Sequence, residues 1–275
     1  MFADLHLHTA FSDGTYSPEE LAGHARHQRL AAIAVTDHDT AEGCVRAAAA
    51  CVQNGLEFIP GIELTAELED HELHILGYGF EAAHPEFQRE LATFQNVRQQ
   101  RIREMVTRLN DRGVPLRADA VFALANCRSP GRPHVARALV QAGVCSSLDE
   151  AFERFLKKHR PAWVPKFNMS ALRAIELLHA AGGLAVMAHP GLNRIDPLIP
   201  ALVDAGLDGL ECHYRNHTEQ DTSRFLALAR KYGLLVTGGS DFHGANRPSI
   251  RLGTGEGNLH VPQECWENLE KVMKR

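Results

Sequence analysis

The sequence predicts an α/β fold, a closed or nearly closed barrel of about seven strand–helix units interrupted by a helical insert. Three observations predict it. Short apolar runs of strand length alternate with stretches rich in helix formers. Histidines and carboxylates recur where those runs end. Residues 83–165 hold helical patterns but no strand-like run. A doubly wound open sheet would give the same alternation, and periodicity alone does not separate the two.

In chain order, ADLHLH at 3–8 reads as the first strand. A helix follows from Ser17-Pro18-Glu19-Glu20, a capping box with proline at the first helical position. The run AAIAVT at 31–36 is the second strand, and the alanine-rich stretch 41–52 is helical. Runs at 57–64 and 72–80 supply the third and fourth strands. The insert has helical patterns at 87–112, 134–142 and 148–158. After a helix at 171–181, GLAVMAH (183–189), GLDGLECH (206–213) and GLLVTGGSD (233–241) complete the seven. The expected division is a barrel from residues 1–99 and 166–275, with 100–165 an insertion covering the active site. Alternating helices would make the strands parallel.

Composition narrows the function. The 275 residues include 16 histidines, more than packing requires. Six cysteines form no C-x-x-C pair, which reads as reduced thiols. Neither a signal peptide nor an apolar run long enough to cross a bilayer is seen, so the expected location is cytoplasmic and no membrane is involved. From Arg98 to Lys166 there are 14 Lys/Arg against 6 Asp/Glu, while the rest of the chain holds 15 against 28. A basic segment on an acidic body suits an anionic ligand.

The chemistry gathers at the strand ends. In a strand, residues two apart share a face, so His6 and His8 point together while Leu5 and Leu7 take the other face. Asp13 follows at once. Thr36-Asp37-His38-Asp39 ends the second strand, Glu63 the third, Ala188-His189-Pro190 the fifth, and Ser240-Asp241-Phe242-His243 the seventh; His74 lies within the fourth. Each alone could be a satisfied core residue or a cap. Loops after barrel strands build one mouth, however, and there six histidines and three carboxylates would converge. Mixed imidazole and carboxylate donors suit Mn²⁺, Fe²⁺ or Zn²⁺ better than Ca²⁺. Asp37 or Asp39 is expected to fix the His38 tautomer.

H-x-H, T-D-H, A-H-P and S-D-x-H in this order resemble the PHP (polymerase and histidinol phosphatase) superfamily along nearly the whole chain. The resemblance implies a distorted seven-stranded (β/α)7 barrel with two or three divalent ions per chain, Mn²⁺ foremost. It implies one ion on His6, His8, Glu63 and Asp241. Glu63 would bridge to a second ion on His74 and His189, and Asp13, His38 and His243 would hold a third. Ser129-Pro130-Gly131-Arg132-Pro133-His134 resembles the G-R-P-H motif of a bacterial branch with a helical insert at this place. That branch removes the 3′-phosphate of 3′,5′-bisphosphonucleotides and trims short 5′-phosphorylated RNA from 5′ to 3′.

The expected chemistry is attack of a metal-bridging hydroxide on the phosphorus, with no nucleophilic side chain. Asp13, Glu63 and Asp241 would hold the reacting centre, and His134, His213 or a metal-bound water could protonate the leaving group. Substrate contacts are expected from Ser129, Arg132, His134, Lys158, Asn193, Arg194 and Arg247, since a guanidinium fork pairs with two phosphate oxygens. The partner would be a small nucleotide or an RNA 5′ end, and no obligatory protein partner is evident. Two other readings are an amidohydrolase and a non-catalytic nucleic-acid-binding or proofreading module. The basic insert with its G-R-P-H motif disfavours the first, and the lack of a polymerase segment the second.

Overall fold

In a computed structural model, the structure describes residues 2–166, 169–192 and 195–274. β1 (Phe2–Leu7), α1 (Pro18–His27), β2 (Leu30–Val35), α2 (Cys44–Asn54), β3 (Glu57–Leu68) and β4 (His71–Tyr78) come first. Ser17 caps α1, accepting from the Glu20 amide while the Glu20 carboxylate accepts from the Ser17 amide. α3 (Pro85–Asn110), α4 (Ala118–Ala125), α5 (Arg132–Gln141), α6 (Leu148–Ala151) and a π-helical turn (Phe152–Leu156) follow. The chain then returns through β5 (Met169–Ser170), α7 (Ala171–Ala180), β6 (Leu184–Met187), α8 (Ile199–Asp204), β7 (Gly209–Tyr214), α9 (Glu219–Tyr232) and β8 (Leu235–Gly239). β9 (Val261–Pro262) and α10 (Gln263–Met273) end it.

The sheet runs β8-β7-β6-β4-β3-β2-β1-β9, with β5 beside the far end of β3. It curls until its ends meet. The Asp241 amide donates to the His6 carbonyl (2.9 Å) and the His8 amide to the Phe242 carbonyl (3.0 Å), joining β1 to the segment after β8. Gly239 permits the approach, because a Cβ there would lie 2.3 Å from His6 Cβ. The fold is the expected distorted α/β barrel, and each of the seven expected strands has a counterpart.

Two details differ from expectation. The strands are not all parallel: β4 is antiparallel to both β3 and β6. β3 continues to Leu68, leaving only Glu69 and Asp70, both at positive φ (50° and 61°), to turn the chain. Two residues suffice for a hairpin, whereas a parallel crossover needs a dozen or more. Simple alternation also fails in β1, where the register against β2 shifts between Asp4 and Leu7. Leu5 packs with Leu76, Tyr78 and Val186, while Leu7 joins a separate cluster with Leu21, Ile33 and Phe242. An irregularity in pairing re-aims the side chains beyond it.

The insert has its own apolar cluster, from Ile102 and Met105 to Leu156 and Val164. α3 serves both parts. Its Phe87, Leu91 and Phe94 pack on the barrel cluster of Ile62, Ile75 and Leu178, and its Ile102, Met105 and Leu109 enter the insert cluster. Among the described residues, no helix is long and apolar enough to cross a membrane.

Candidate metal centre

Glu63, buried near the end of β3's parallel stretch, is the hub. Its Oε1 lies 2.6 Å from His74 Nδ1 and 3.0 Å from His189 Nε2. Its Oε2 faces His6 Nε2 (3.4 Å), His8 Nε2 (3.3 Å) and His38 Nδ1 (3.0 Å). Asp241 Oδ1 approaches His8 Nε2 (3.3 Å) and His6 Nε2 (3.8 Å). Asp13 Oδ1 approaches His243 Nε2 (3.1 Å), His8 Nδ1 (3.9 Å) and His38 Nε2 (3.9 Å). All nine residues named as ligands from the sequence therefore meet in one place.

The hairpin explains His74. Because β4 runs backwards, its beginning, not its end, reaches the mouth, with His74 paired to Thr65 beside Glu63. His189 and Asp241, just past β6 and β8, have φ of 30° and 53°. Left-handed backbone in non-glycine residues is strained and recurs at functional sites. Here it turns both side chains back over the strand ends.

Charge and burial fit divalent ions. Burial alone would raise the carboxyl pKa values, but neighbouring imidazoles hold Glu63 and Asp13 well below the usual range. Arg247 and His243 do the same for Asp241. Burial lowers His38 to about 4, whereas for His8 it is outweighed by Asp241 and Glu63, which lift it to about 9. His6 Nε2, both His8 nitrogens, Asp13 Oδ1, His38 Nδ1, Glu63 Oε2 and His243 Nε2 are buried without hydrogen-bond partners. Unsatisfied buried polar atoms are costly, and this many facing one another suits shared cations. Three groups have donor atoms all within 4.8 Å of one another: His8, Asp13, His38 and His243; His6, His8 and Asp241; His38, Glu63 and His74.

Neither Asp37 nor Asp39 fixes the His38 imidazole, contrary to expectation. Asp37 accepts from the Thr9 amide (2.7 Å) and hydroxyl (2.6 Å) and from Ser12 (2.6 Å), tying down the loop that carries Asp13. Asp39 accepts from the Thr65 amide (2.9 Å) and pairs with Arg98 (2.6 Å). Asp37 turns to the loop of Thr9 and Ser12, and Asp39, at a φ of 50°, turns toward Thr65 and Arg98.

Beside the cluster lies a cavity of about 240 Å³. Asp13, His38 and His74 line it on the cluster side, and Arg98, Arg101, Arg132, Lys166 and Arg247 supply five cationic groups, with Glu72, paired to Lys166 (2.7 Å), as a carboxylate among them. Arg132 also stacks on Phe152, 5.9 Å from the ring centre. Gly131-Arg132-Pro133 places the start of α5 at this wall, and His134 Nδ1 accepts from the Gly131 amide (3.0 Å), imitating a capping-box carboxylate. In the neutral ring the proton is then on Nε2. Burial lowers the His134 pKa.

The expected substrate contacts divide. Arg132 and Arg247 line the cavity. Ser129 is buried nearby in sequence, with an unpartnered Oγ. Lys158 is not brought to the cavity. The π-helical turn directs Phe152 inward and leaves 157–160 exposed, so Lys166 supplies the ammonium instead. His213 lies on β7 against Gly238, apart from the cavity wall. Asn193 and Arg194 fall outside the described residues. Sequence reasoning missed Arg98, Arg101 and Lys166 individually, although the basic segment contained them. It also missed Tyr214 and Arg215, which donate to Asp241 Oδ2 (2.8 and 3.3 Å), and Glu211.

Comparisons with known proteins agree with this geometry. Residues 4–157 match the family described as PHP domain. The 5′-3′ exoribonuclease Rnm of Escherichia coli is 33% identical, covering 99% of this chain and 96% of its own. The 3′,5′-nucleoside bisphosphate phosphatase of Chromobacterium violaceum is 32% identical over 99% and 98%. A solved structure from Bifidobacterium adolescentis, described as that of a metal-dependent phosphoesterase, superposes with a TM-score of 0.89 at 34% identity, covering 97% and 94%.

Proposed function

This chain belongs to the PHP domain family and is a hydrolase of phosphoric esters, and from that premise we propose that its substrate carries two phosphates. The reading is removal of the 3′-phosphate from 3′,5′-bisphosphonucleotides, with trimming of short 5′-phosphorylated RNA from its 5′ end as the related activity. One observation carries it: a cavity with five cationic side chains opens directly onto the histidine–carboxylate cluster. A monophosphate at the cluster would leave that basic wall unused. The names of the relatives supply the nucleotide class, and neither an amide nor a purely bound nucleic acid accounts for both halves of the site.

The nine clustered residues would hold the ions; their nitrogen–oxygen mixture suits Mn²⁺, Fe²⁺ or Zn²⁺ alike, and Mn²⁺ is the ion we propose. Divalent ions in such a site supply Lewis acidity for phosphoester hydrolysis. The protein's own contribution is placement. Arg98, Arg101, Arg132 and Lys166 grip the phosphate that is retained. Phe152 offers a face for the base or sugar. Arg247, paired with Asp241, guards the opposite rim. His134 is buried and does not itself line the cavity; its Nδ1 contact with the Gly131 amide holds the start of α5, and with it Arg132, at the wall. Six free cysteines, five of them buried, suit the reducing cytoplasm.

The test is a side-by-side assay with Mn²⁺ of 3′,5′-bisphosphonucleotides, nucleoside 3′-monophosphates, 5′-phosphorylated oligoribonucleotides and simple amides. Turnover of the bisphosphate at a kcat/KM at least tenfold above the 3′-monophosphate is expected. Equal rates would overturn the two-phosphate reading.

A further inference from the structure

The inference concerns Glu211 and rests on the reading that the cluster binds divalent ions. Glu211 lies on β7, wholly buried, one strand away from β8 and its Asp241. It touches no cavity wall and reaches none of the three donor groups. Its two oxygens are nevertheless committed to two of the proposed ligands. Oε1 is 3.0 Å from His6 Nδ1, and Oε2 accepts from the backbone amide of His189 at 2.6 Å.

Each contact has a chemical consequence. A carboxylate oxygen accepts, so in this pairing His6 Nδ1 is the donor and Nε2 is the nitrogen left for a ligand. Its Nε2 lone pair then faces Glu63 and Asp241, and that nitrogen is buried and free of any hydrogen bond. A ligating histidine that donates its other nitrogen to a carboxylate is held in one tautomer and orientation and becomes more basic. The second contact acts on the backbone. His189 sits at a φ of 30°, and the bond from its amide helps to hold the turn that brings Nε2 to 3.0 Å from Glu63 Oε1. His6 meets one oxygen of Glu63 and His189 the other. One buried carboxylate thus sets ligands on both sides of the hub.

We propose that Glu211 is the positioning residue of the metal centre, selecting the ligating tautomer of His6 and fixing the backbone turn at His189. Glu211→Gln is the discriminating change because it keeps shape and size. If the amide oxygen of the new side chain keeps the His189 contact, its NH₂ faces His6 Nδ1. That group can only donate, so the imidazole must move its proton to Nε2, where it blocks ligation.

The experiment uses the full chain, stripped of metal and titrated with Mn²⁺, with free Mn²⁺ followed by electron paramagnetic resonance. Wild type, Glu211→Gln and Glu63→Gln are compared, and the unfolding midpoint of each stripped protein is recorded. For Glu211→Gln we expect Mn²⁺ affinity to fall about 10- to 100-fold with an unchanged midpoint, and turnover to recover at saturating Mn²⁺. In the Zn²⁺-loaded, ¹⁵N-labelled protein, the His6 Nδ1–H resonance should be present in wild type and lost in Glu211→Gln. Wild-type affinity in Glu211→Gln, with metal lost from Glu63→Gln, overturns the role of Glu211 and leaves the metal reading standing. Full metal binding by both variants overturns the metal reading and the role together. A lowered midpoint with unchanged affinity assigns Glu211 to folding alone and also overturns the proposal.

Discussion

Glu63 divides two oxygens among five imidazoles, and Asp241 divides its own differently: Oδ1 faces the histidines while Oδ2 is taken by Tyr214, Arg215 and Arg247. The contrast marks a division between residues that meet ions and residues that hold those in place. Arg132 belongs to neither group. Its guanidinium bonds weakly to the Leu156 carbonyl (3.4 Å) and stacks on Phe152, leaving donors for an anion. Arg132→Ala should raise KM for a 3′,5′-bisphosphonucleotide more than tenfold, as roughly 1.5–3 kcal/mol is expected for a charged hydrogen bond. The KM for a nucleoside 3′-monophosphate should change far less, and initial rates on both substrates check it. At this scale the nine proposed ligands were legible because imidazoles and carboxylates at strand ends have few ordinary duties. Glu211 was not. In GLDGLECH it resembles any polar residue in a strand, and only the closing of the barrel puts it against His6.

At the scale of elements, the junction of β1 with the segment after β8 sets the centre, because His6, His8 and Asp241 come from its two sides. Gly239→Ala would place a methyl 2.3 Å from His6 Cβ and 2.5 Å from His6 N, and backbone on both sides leaves little room to yield. A loss of about 1–3 kcal/mol is expected, as for other overpacked sites. Urea unfolding measures that loss, and Mn²⁺ titration should show weaker binding. The strands themselves were legible from apolar runs, and α1 from its capping box. The direction of β4 was not, since seven residues separated the expected third and fourth strands and five of them proved to extend the strands into a hairpin. The π-helical turn after α6 also has no signature in composition, so Lys158 was singled out and Lys166 was missed.

For the whole molecule, stability and metal are linked. Three carboxylates and six histidines crowd one buried site, so ions that bind only the folded chain should stabilise it by mass action. Mn²⁺ at 100 times its Kd should add about 2.7 kcal/mol. Calorimetry should therefore show the melting temperature rising with Mn²⁺ concentration and falling again with chelator; a melting temperature indifferent to both would contradict the assignment of the cluster. The charge count had singled out the segment that supplies Arg98, Arg101, Arg132 and Lys166 to the cavity. What it could not show was that α3 joins both apolar clusters, because helical periodicity does not say which neighbour each turn will meet. At 26 residues, α3 is one rod of roughly 39 Å. Arg98 and Arg101 lie near its middle, close to where it leaves the barrel. A rod anchored at one end moves least near the anchor and most at the tip. Were the insert to tilt about that anchor, Leu109 would travel much farther than these two arginines, which therefore belong to the barrel's frame more than to the insert's.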